Sequence, residues 1–227
     1  MSKIPVMVVD DFFEDPDSIR NYALSLDYAK PDDNYPGVRT ELLDTLNDTL
    51  FKSLSLRLFS LLYDFKVHRA GGHVQACFQL ITEEYEEGWV HSDLSTDDWC
   101  IAGVVYLTPN APLSGGTSLY KLTTATHPEQ SKHKNVFYSN AAIDIDTYRK
   151  ARDTFNDHYE KTMQISNVYN RLVMYNTNQL HRGDIFFGNN KENGRLTLVF
   201  FAKILGEELP PISRMNTHKI EGISWDN

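Results

Sequence analysis

Cysteine is scarce: Cys77 and Cys100 are the two in 227 residues. Two cysteines make no disulfide framework, and without further cysteines nearby they make no zinc pair. Each lies in an apolar, strand-like stretch, "VQACFQLIT" or "DWCIAGVVYLT", and reads as a buried free thiol in a reducing compartment. Long hydrophobic runs are also missing. None reaches the roughly 18 residues that a membrane span needs. Basic residues are outnumbered 22 to 31, giving a net charge of −9. No basic patch offsets this, which argues against a nucleic-acid partner. The opening "MSKIPVMVVDDFFEDPDS" turns acidic too early for a secretory signal and has no small-residue cleavage site. A cytoplasmic protein is expected. Repeats and low-complexity linkers are absent as well.

What is present is ordinary for a globular chain: 41% hydrophobic and 23% charged residues. The length suits one domain, residues 1–227, with a sizeable core. "PVMVVDDFF" (5–13) reads as a strand. In "DPDSIRNYALSLDY" (15–28), Asp15 is an N-cap and Pro16 the first helical residue, and Ile19, Tyr22, Ala23 and Leu26 share a face. "NYPGVR" (34–39) is a turn. Residues 40–65 repeat leucine at helical spacing, with room for a break into two helices. From residue 73 the pattern changes. "HVQACFQLITEEY" (73–85), "DWCIAGVVYLTP" (98–109) and "GTSLYKLTT" (116–124) are rich in β-branched and aromatic residues. Residues 123–142 are polar and read as a long loop, and 144–166 as a helix. Strands return at 170–177, 184–188 and 194–205, with a loop over 189–194 and an irregular tail after Pro210. Helices first and strands after predict an α+β chain around a mostly antiparallel sheet or barrel.

The chemistry centres on "WVHSDLST" (89–96). In an extended segment, residues i and i+2 point the same way. His91 and Asp93 can therefore offer an imidazole nitrogen and a carboxylate oxygen to one ion. His181, after the strand "NRLVMYNT", is the best third ligand. Two histidines and one carboxylate on one side of a metal leave the other side open, a donor set that favours Fe(II) oxygenase chemistry. The pair alone is weak evidence, because eight histidines in an acidic chain produce about one such neighbourhood by chance. Arg195 interrupts the apolar stretch "GRLTLVFF". A buried guanidinium needs a carboxylate-like partner, and its planar fork suits one. Thr197, two residues on, faces the same side.

The order H-x-D, then "VVYLTPNAPLSGGTSLY", then a strand ending near a histidine, then R-x-T resembles the Fe(II)/2-oxoglutarate-dependent dioxygenases. The nearest likeness is to their prolyl-4-hydroxylase-like branch, where a "YL" strand precedes a Gly-Gly turn, here Tyr106, Leu107, Gly115 and Gly116. The opening segment also looks like little-studied bacterial and phage members. The motifs span about residues 73–205. The resemblance implies a double-stranded β-helix, a jelly-roll or cupin-like barrel over about 73–205, with N-terminal helices, mainly 15–65, packed on the sheet. It implies that His91, Asp93 and His181 bind Fe(II). It implies that Arg195 pairs with the distal carboxylate of 2-oxoglutarate, with Thr197 assisting and Tyr106 touching the co-substrate. It implies that O2 is the other co-substrate and that the reaction is hydroxylation of a C–H bond in a peptidyl residue, an amino acid or a small metabolite. The polar "NTNQLHRG" before the distal histidine and the 144–166 segment depart from the family's pattern, which leaves the substrate open.

Other candidates carry less. His127 and His133 read as solvent-exposed residues of a loop, His158 as a packing or capping group, and His68 and His73 as markers of a turn. Asp97, Asp98 and Trp99 read as a solvated strand start. "RGD" (182–184) reads as part of the site rim, and Phe186 and Phe187 as core and wall. Two alternatives stand beside the enzyme. One is a cupin-like barrel that binds a metal or ligand without turnover. The other is an interaction protein with a vestigial triad. The oligomeric state is not legible.

Overall fold

The computed structural model describes residues 6–29, 35–63, 65, 71–93, 100–124, 126, 128, 132–138 and 144–205, with backbone alone at 132 and 133. In chain order the elements are β1 (Met7–Val9), α1 (Pro16–Ser25), β2 (Val38–Arg39), α2 (Leu43–Leu46), α3 (Asp48–Leu62), β3 (Gly71–Ile81), β4 (Ile101–Tyr106), β5 (Thr117–Leu122), α4 (Lys132–Tyr138), α5 (Ile145–Asn156), β6 (Tyr159–Ile165), β7 (Leu172–Asn176), β8 (His181–Gly183) and β9 (Arg195–Leu205). They build two antiparallel sheets. One has six strands in the order β1-β7-β4-β9-β3-β2, the other three in the order β6-β5-β8. Among the described residues no helix is long and apolar enough to cross a membrane.

The two faces of the large sheet follow from the two-residue period of its strands. Along β9, Leu196, Leu198, Phe200 and Ala202 join the main apolar core. Along β3, Val74, Ala76, Phe78 and Leu80 do the same. That core is closed by Ala23 of α1, Leu43 of α2, and Leu54, Leu58, Phe59 and Leu62 of α3. The helices hold their places by the signals in their sequences. Asp15 accepts from the Ser18 backbone N–H at 3.0 Å, Pro16 opens α1, and Asn47 accepts from Leu50 N at 3.0 Å to start α3. The opposite face of the large sheet meets the small one. Ala102, Tyr106, Val173 and Tyr175 pack there against Leu119 and Ile165. A third cluster joins α5 and Tyr138 of α4 to Trp89, Tyr120 and Phe186. The result is a helical layer, a six-stranded sheet and a three-stranded sheet, with α4 and α5 beside the gap between the sheets.

Several expectations are corrected. The helix over 144–166 stops at Asn156, and Tyr159–Ile165 is β6. This strand edges the small sheet and buries its two end residues alone, so its side chains show no alternation to read. The expected loop over 123–142 contains α4. Residues 184–188 form no strand, since their sole ladder contact is the bridge between Glu87 and Ile185. The strand over 5–13 is limited to Met7–Val9, with Asp11 at φ 52° after it. Val38 and Arg39, at the end of the expected turn, pair with Leu80 and Gln79. His73 is in β3, opposite Lys203, and marks no turn. Both cysteines are free, but only Cys77 is buried; Cys100 is half-buried. The 40–65 segment does break into two helices, and the break, for which the leucine spacing gives no position, falls at Asn47. His68, Asp97, Asp98, Trp99, His127, the side chain of His133 and the tail after Pro210 lie outside the described residues.

Candidate metal centre

His91 and His181 are cross-strand neighbours. Their backbones exchange both hydrogen bonds, His91 N–H to His181 O at 2.9 Å and His181 N–H to His91 O at 2.8 Å. Such a pair sets two side chains side by side on one face, and the imidazole centroids are 4.4 Å apart. Asp93 is fixed two residues on by its N–H donating to Thr177 O at 2.8 Å. The pleat returns its carboxylate to the same face. His91 Nε2 lies 3.6 Å from one Asp93 oxygen and His181 Nε2 lies 3.4 Å from the other. One ligand atom from each of the three residues falls within 4.8 Å of the other two.

The ring nitrogens facing away fix the tautomers. His91 Nδ1 is 2.8 Å from Trp89 O and His181 Nδ1 is 2.9 Å from Gln179 O, in each case the carbonyl two residues earlier. A carbonyl oxygen can only accept, so each Nδ1 carries a proton, and in the neutral ring this leaves the lone pair on Nε2. Burial pushes the His91 pKa down to about 4, helped by neighbouring His181 and opposed by the charge of Asp93. His91 is therefore neutral at pH 7. Two Nε2 atoms, each on a ring braced through Nδ1, and a carboxylate between them suit a divalent ion.

The three residues open onto a cleft of about 720 Å³, counting the space continuous with solvent, which Arg195, Lys134 and Arg39 also line. Arg195 heads β9 and is 4% exposed. It is in phase with Val199 and Phe201, which also line the cleft. Its Nε donates to Gly115 O at 3.0 Å, and a terminal nitrogen makes a weaker contact with Gly116 O at 3.5 Å. Glycine is needed at 116, because a Cβ there would stand 1.9 Å from Ile165 O. Among the described residues no carboxylate lies within ion-pair distance of Arg195. Burial pulls its pKa below the usual guanidinium value, opposed by Tyr106, Tyr175 and Asp184.

Tyr106 and Thr197 take supporting positions. Tyr106 is fully buried, its ring centroid 5.4 Å from the Arg195 guanidinium carbon, and its hydroxyl donates to Thr117 Oγ1 at 2.7 Å. Thr197 is opposite Tyr106 in the sheet, and its hydroxyl lies 3.5 Å from Gln79 O. Neither is among the described residues that line the cleft. Phe186 is core and wall, as expected. His158 caps the end of α5, with Nδ1 3.0 Å from Thr154 O. Arg182 of the "RGD" segment pairs with Glu87 at 2.6 Å, and Asp184 is buried.

Sequence reasoning missed Lys134, Arg39 and the aromatic support behind His91. Trp89 Nε1 donates to the Tyr148 hydroxyl at 3.0 Å, and Phe137 stacks on Tyr148 at 3.8 Å. The available signal was the adjacent Phe137–Tyr138 pair, too apolar for a solvated loop.

A family model described as "Family of unknown function (DUF6445)" matches residues 1–202. The chain belongs to this family. No curated protein matches this DUF6445 member. Its fold is shared with solved structures. One is HygX from Streptomyces hygroscopicus with nickel, 2-oxoglutarate and hygromycin B bound, at 16% identity and a TM-score of 0.52, covering 87% of this chain and 82% of that one. Another is the epimerase SnoN in complex with Fe3+, alpha ketoglutarate and nogalamycin RO, at 10% identity and a TM-score of 0.52, covering 97% and 87%. A prolyl hydroxylase from Trichoplax adhaerens is similar at 8% identity and a TM-score of 0.49, covering 87% and 82%. The DUF6445 chain thus shares its fold with HygX and with the epimerase SnoN.

Proposed function

We propose that this protein is an Fe(II)- and 2-oxoglutarate-dependent dioxygenase that hydroxylates a C–H bond. In this reading residues 1–227 are one domain, and the two facing sheets are the halves of a double-stranded β-helix. His91, Asp93 and His181 hold the iron. Arg195 binds the distal carboxylate of 2-oxoglutarate, and Tyr106 and Thr197 pack behind it. The substrate is a small molecule or a peptidyl residue. The observation that carries the reading is the convergence of two Nδ1-protonated histidines, through their free Nε2 lone pairs, on one carboxylate.

Bound iron, 2-oxoglutarate and O2 would supply the oxidation, coupling decarboxylation of the co-substrate to succinate with hydroxylation of the substrate. The chain's own part is positioning. The Trp89 and Gln179 carbonyls hold the two imidazoles in one orientation, with Nε2 of each on the side of Asp93 where the metal would bind. The Gly115 and Gly116 carbonyls aim the Arg195 fork, and a ligand carboxylate would supply the anionic partner that this buried cation lacks. Val199 and Phe201 give the cleft an apolar wall, which limits water near the reacting centre.

The test is conversion of 2-oxoglutarate to succinate by the purified chain. Turnover that requires both Fe(II) and O2, and is lost in Asp93→Ala, is the expected result. Iron uptake without any succinate would instead favour a metal-binding protein that performs no chemistry.

A further inference from the structure

Two charged side chains among the described lining residues, Arg39 and Lys134, are left unused by the proposed metal and co-substrate sites, and Arg39 already meets Tyr35 and Gln79. Lys134, in α4, is 7% exposed and lines the cleft with both histidines, Asp93 and Arg195. Among the described residues no carboxylate lies within ion-pair distance of its ammonium. Its Nζ lies 5.9 Å from the centroid of the Tyr138 ring. A lysine drawn this far out of bulk water without a counter-ion beside it is costly, and burial lowers its pKa while the charge of Asp93 works the other way.

Lys134 is also held in place. Phe137, three residues on, stacks on Tyr148 with ring planes 18° apart, and Tyr138 meets Tyr85 edge-on at 5.9 Å. Tyr148 in turn accepts from Trp89, two residues before His91. The aromatic packing that braces the His91 segment therefore also sets the position of Lys134.

Charge bookkeeping identifies what the cleft selects. Among the described residues its charged lining is Arg39, Lys134, Arg195 and Asp93, three cations against one carboxylate. Arg39 is engaged, its guanidinium carbon 3.4 Å from the Tyr35 ring centroid and one terminal nitrogen 3.3 Å from Gln79 Oε1. A divalent metal and a dianionic co-substrate leave these four side chains and their ligands with a net positive sum. The whole chain, by contrast, is acidic, at −9. A concave positive site in an acidic protein draws anions.

We propose that Lys134 selects the primary substrate by binding a carboxylate on it, so that the enzyme acts on an anionic small molecule or an acidic peptidyl residue. This rests on the dioxygenase reading above. Lys134 is then a specificity-determining residue, and it touches neither the metal nor 2-oxoglutarate.

The probe is trifluoroacetate, with neutral trifluoroacetamide as control. The full chain is loaded with Co(II) and 2-oxoglutarate, which fills the metal and Arg195 sites without turnover. Paramagnetic broadening of the fluorine resonance then reports an anion held near the metal. The wild type is expected to broaden trifluoroacetate and leave the amide sharp. Lys134→Met should weaken trifluoroacetate binding roughly tenfold or more, since a charged hydrogen bond is lost, and Lys134→Arg should retain it. Equal broadening of acid and amide, no broadening in wild type, or an unchanged effect in Lys134→Met would overturn the proposal. A fold change in the variant is detected separately, as altered Co(II) stoichiometry or circular dichroism, and Lys134→Arg then decides. A wild type that takes up no Co(II) overturns the metal-site reading together with this one.

Discussion

The two sheets differ in what they bury. In the large sheet β3 and β9 pair over eleven residues without a slip, from Gly71↔Leu205 to Ile81↔Arg195. One face is a continuous apolar core under three helices. The small sheet is shorter and less regular. Its register shifts between Leu119 and Tyr120, and β8 has three residues. Yet Thr117, Ser118, His181 and Asp184 are all buried there, and Arg195 and Thr197 face it from the large sheet. Buried polar groups stabilise a fold less reliably than apolar packing and are sensitive to the loss of a partner. The large sheet is a frame, and the small sheet gives up regular packing to hold polar groups at a cleft.

This division can be broken from either side. The largest effect belongs to the frame. Phe78 is fully buried in the main core, and Phe78→Ala should lower stability by about 3–5 kcal/mol. Chemical denaturation measures this loss, while the fraction that remains folded should keep its metal affinity. Next is the cleft. Arg195→Met should cost about 1.5–3 kcal/mol of co-substrate binding, a tenfold to hundredfold rise in the 2-oxoglutarate concentration required. It should leave the melting temperature nearly unchanged, because an uncompensated buried charge is removed. An equal loss of stability in both variants would erase the distinction between frame and site.

The smallest effect concerns the joint between α5 and the His91 segment. Glu86 pairs with Arg149 and lies 3.0 Å from Arg152. The Arg149 hydrogen bond holds its carboxyl below the ordinary value of 4.5, burial opposes this, and Arg152 adds to it. A carboxyl with a depressed folded pKa stabilises the fold above its unfolded value. That stability is lost as pH falls from about 4.5 through the folded value. Glu86→Gln should thus lose about 1 kcal/mol at pH 7 and show a shallower decline in acid. Denaturation midpoints across pH 3 to 7, on the order of the carboxylate range, check both the sign and the window.

Legibility in the sequence follows the same division. The leucine spacing of α3 and the strands from residue 73 onward could be read because one face of each element is apolar. Arg195 stood out because it is a charge in an apolar strand, and its phase placed it on the cleft side. His91 and Asp93 were found through the two-residue period, and His181 only through its place after a strand. No sequence spacing encodes the His91–His181 hydrogen-bonded pair, which depends on two segments meeting across the small sheet. β6 and α4 were missed for opposite reasons. β6 keeps a polar face with little apolar contrast, and its Tyr159 continued the helical pattern of Tyr148, Ala151 and Phe155. α4 is too short to show a period, so nothing sets Lys134 apart from the other lysine of "SKHKNVFY".

The central claim is that His91, Asp93 and His181 form one metal site. An anaerobic calorimetric titration of the wild type and His181→Ala with Fe(II) tests it most directly, with circular dichroism showing that the variant keeps its fold. The account predicts one ion bound per wild-type chain and none at that site in the variant. Equal uptake by both proteins, or none by the wild type, would contradict it.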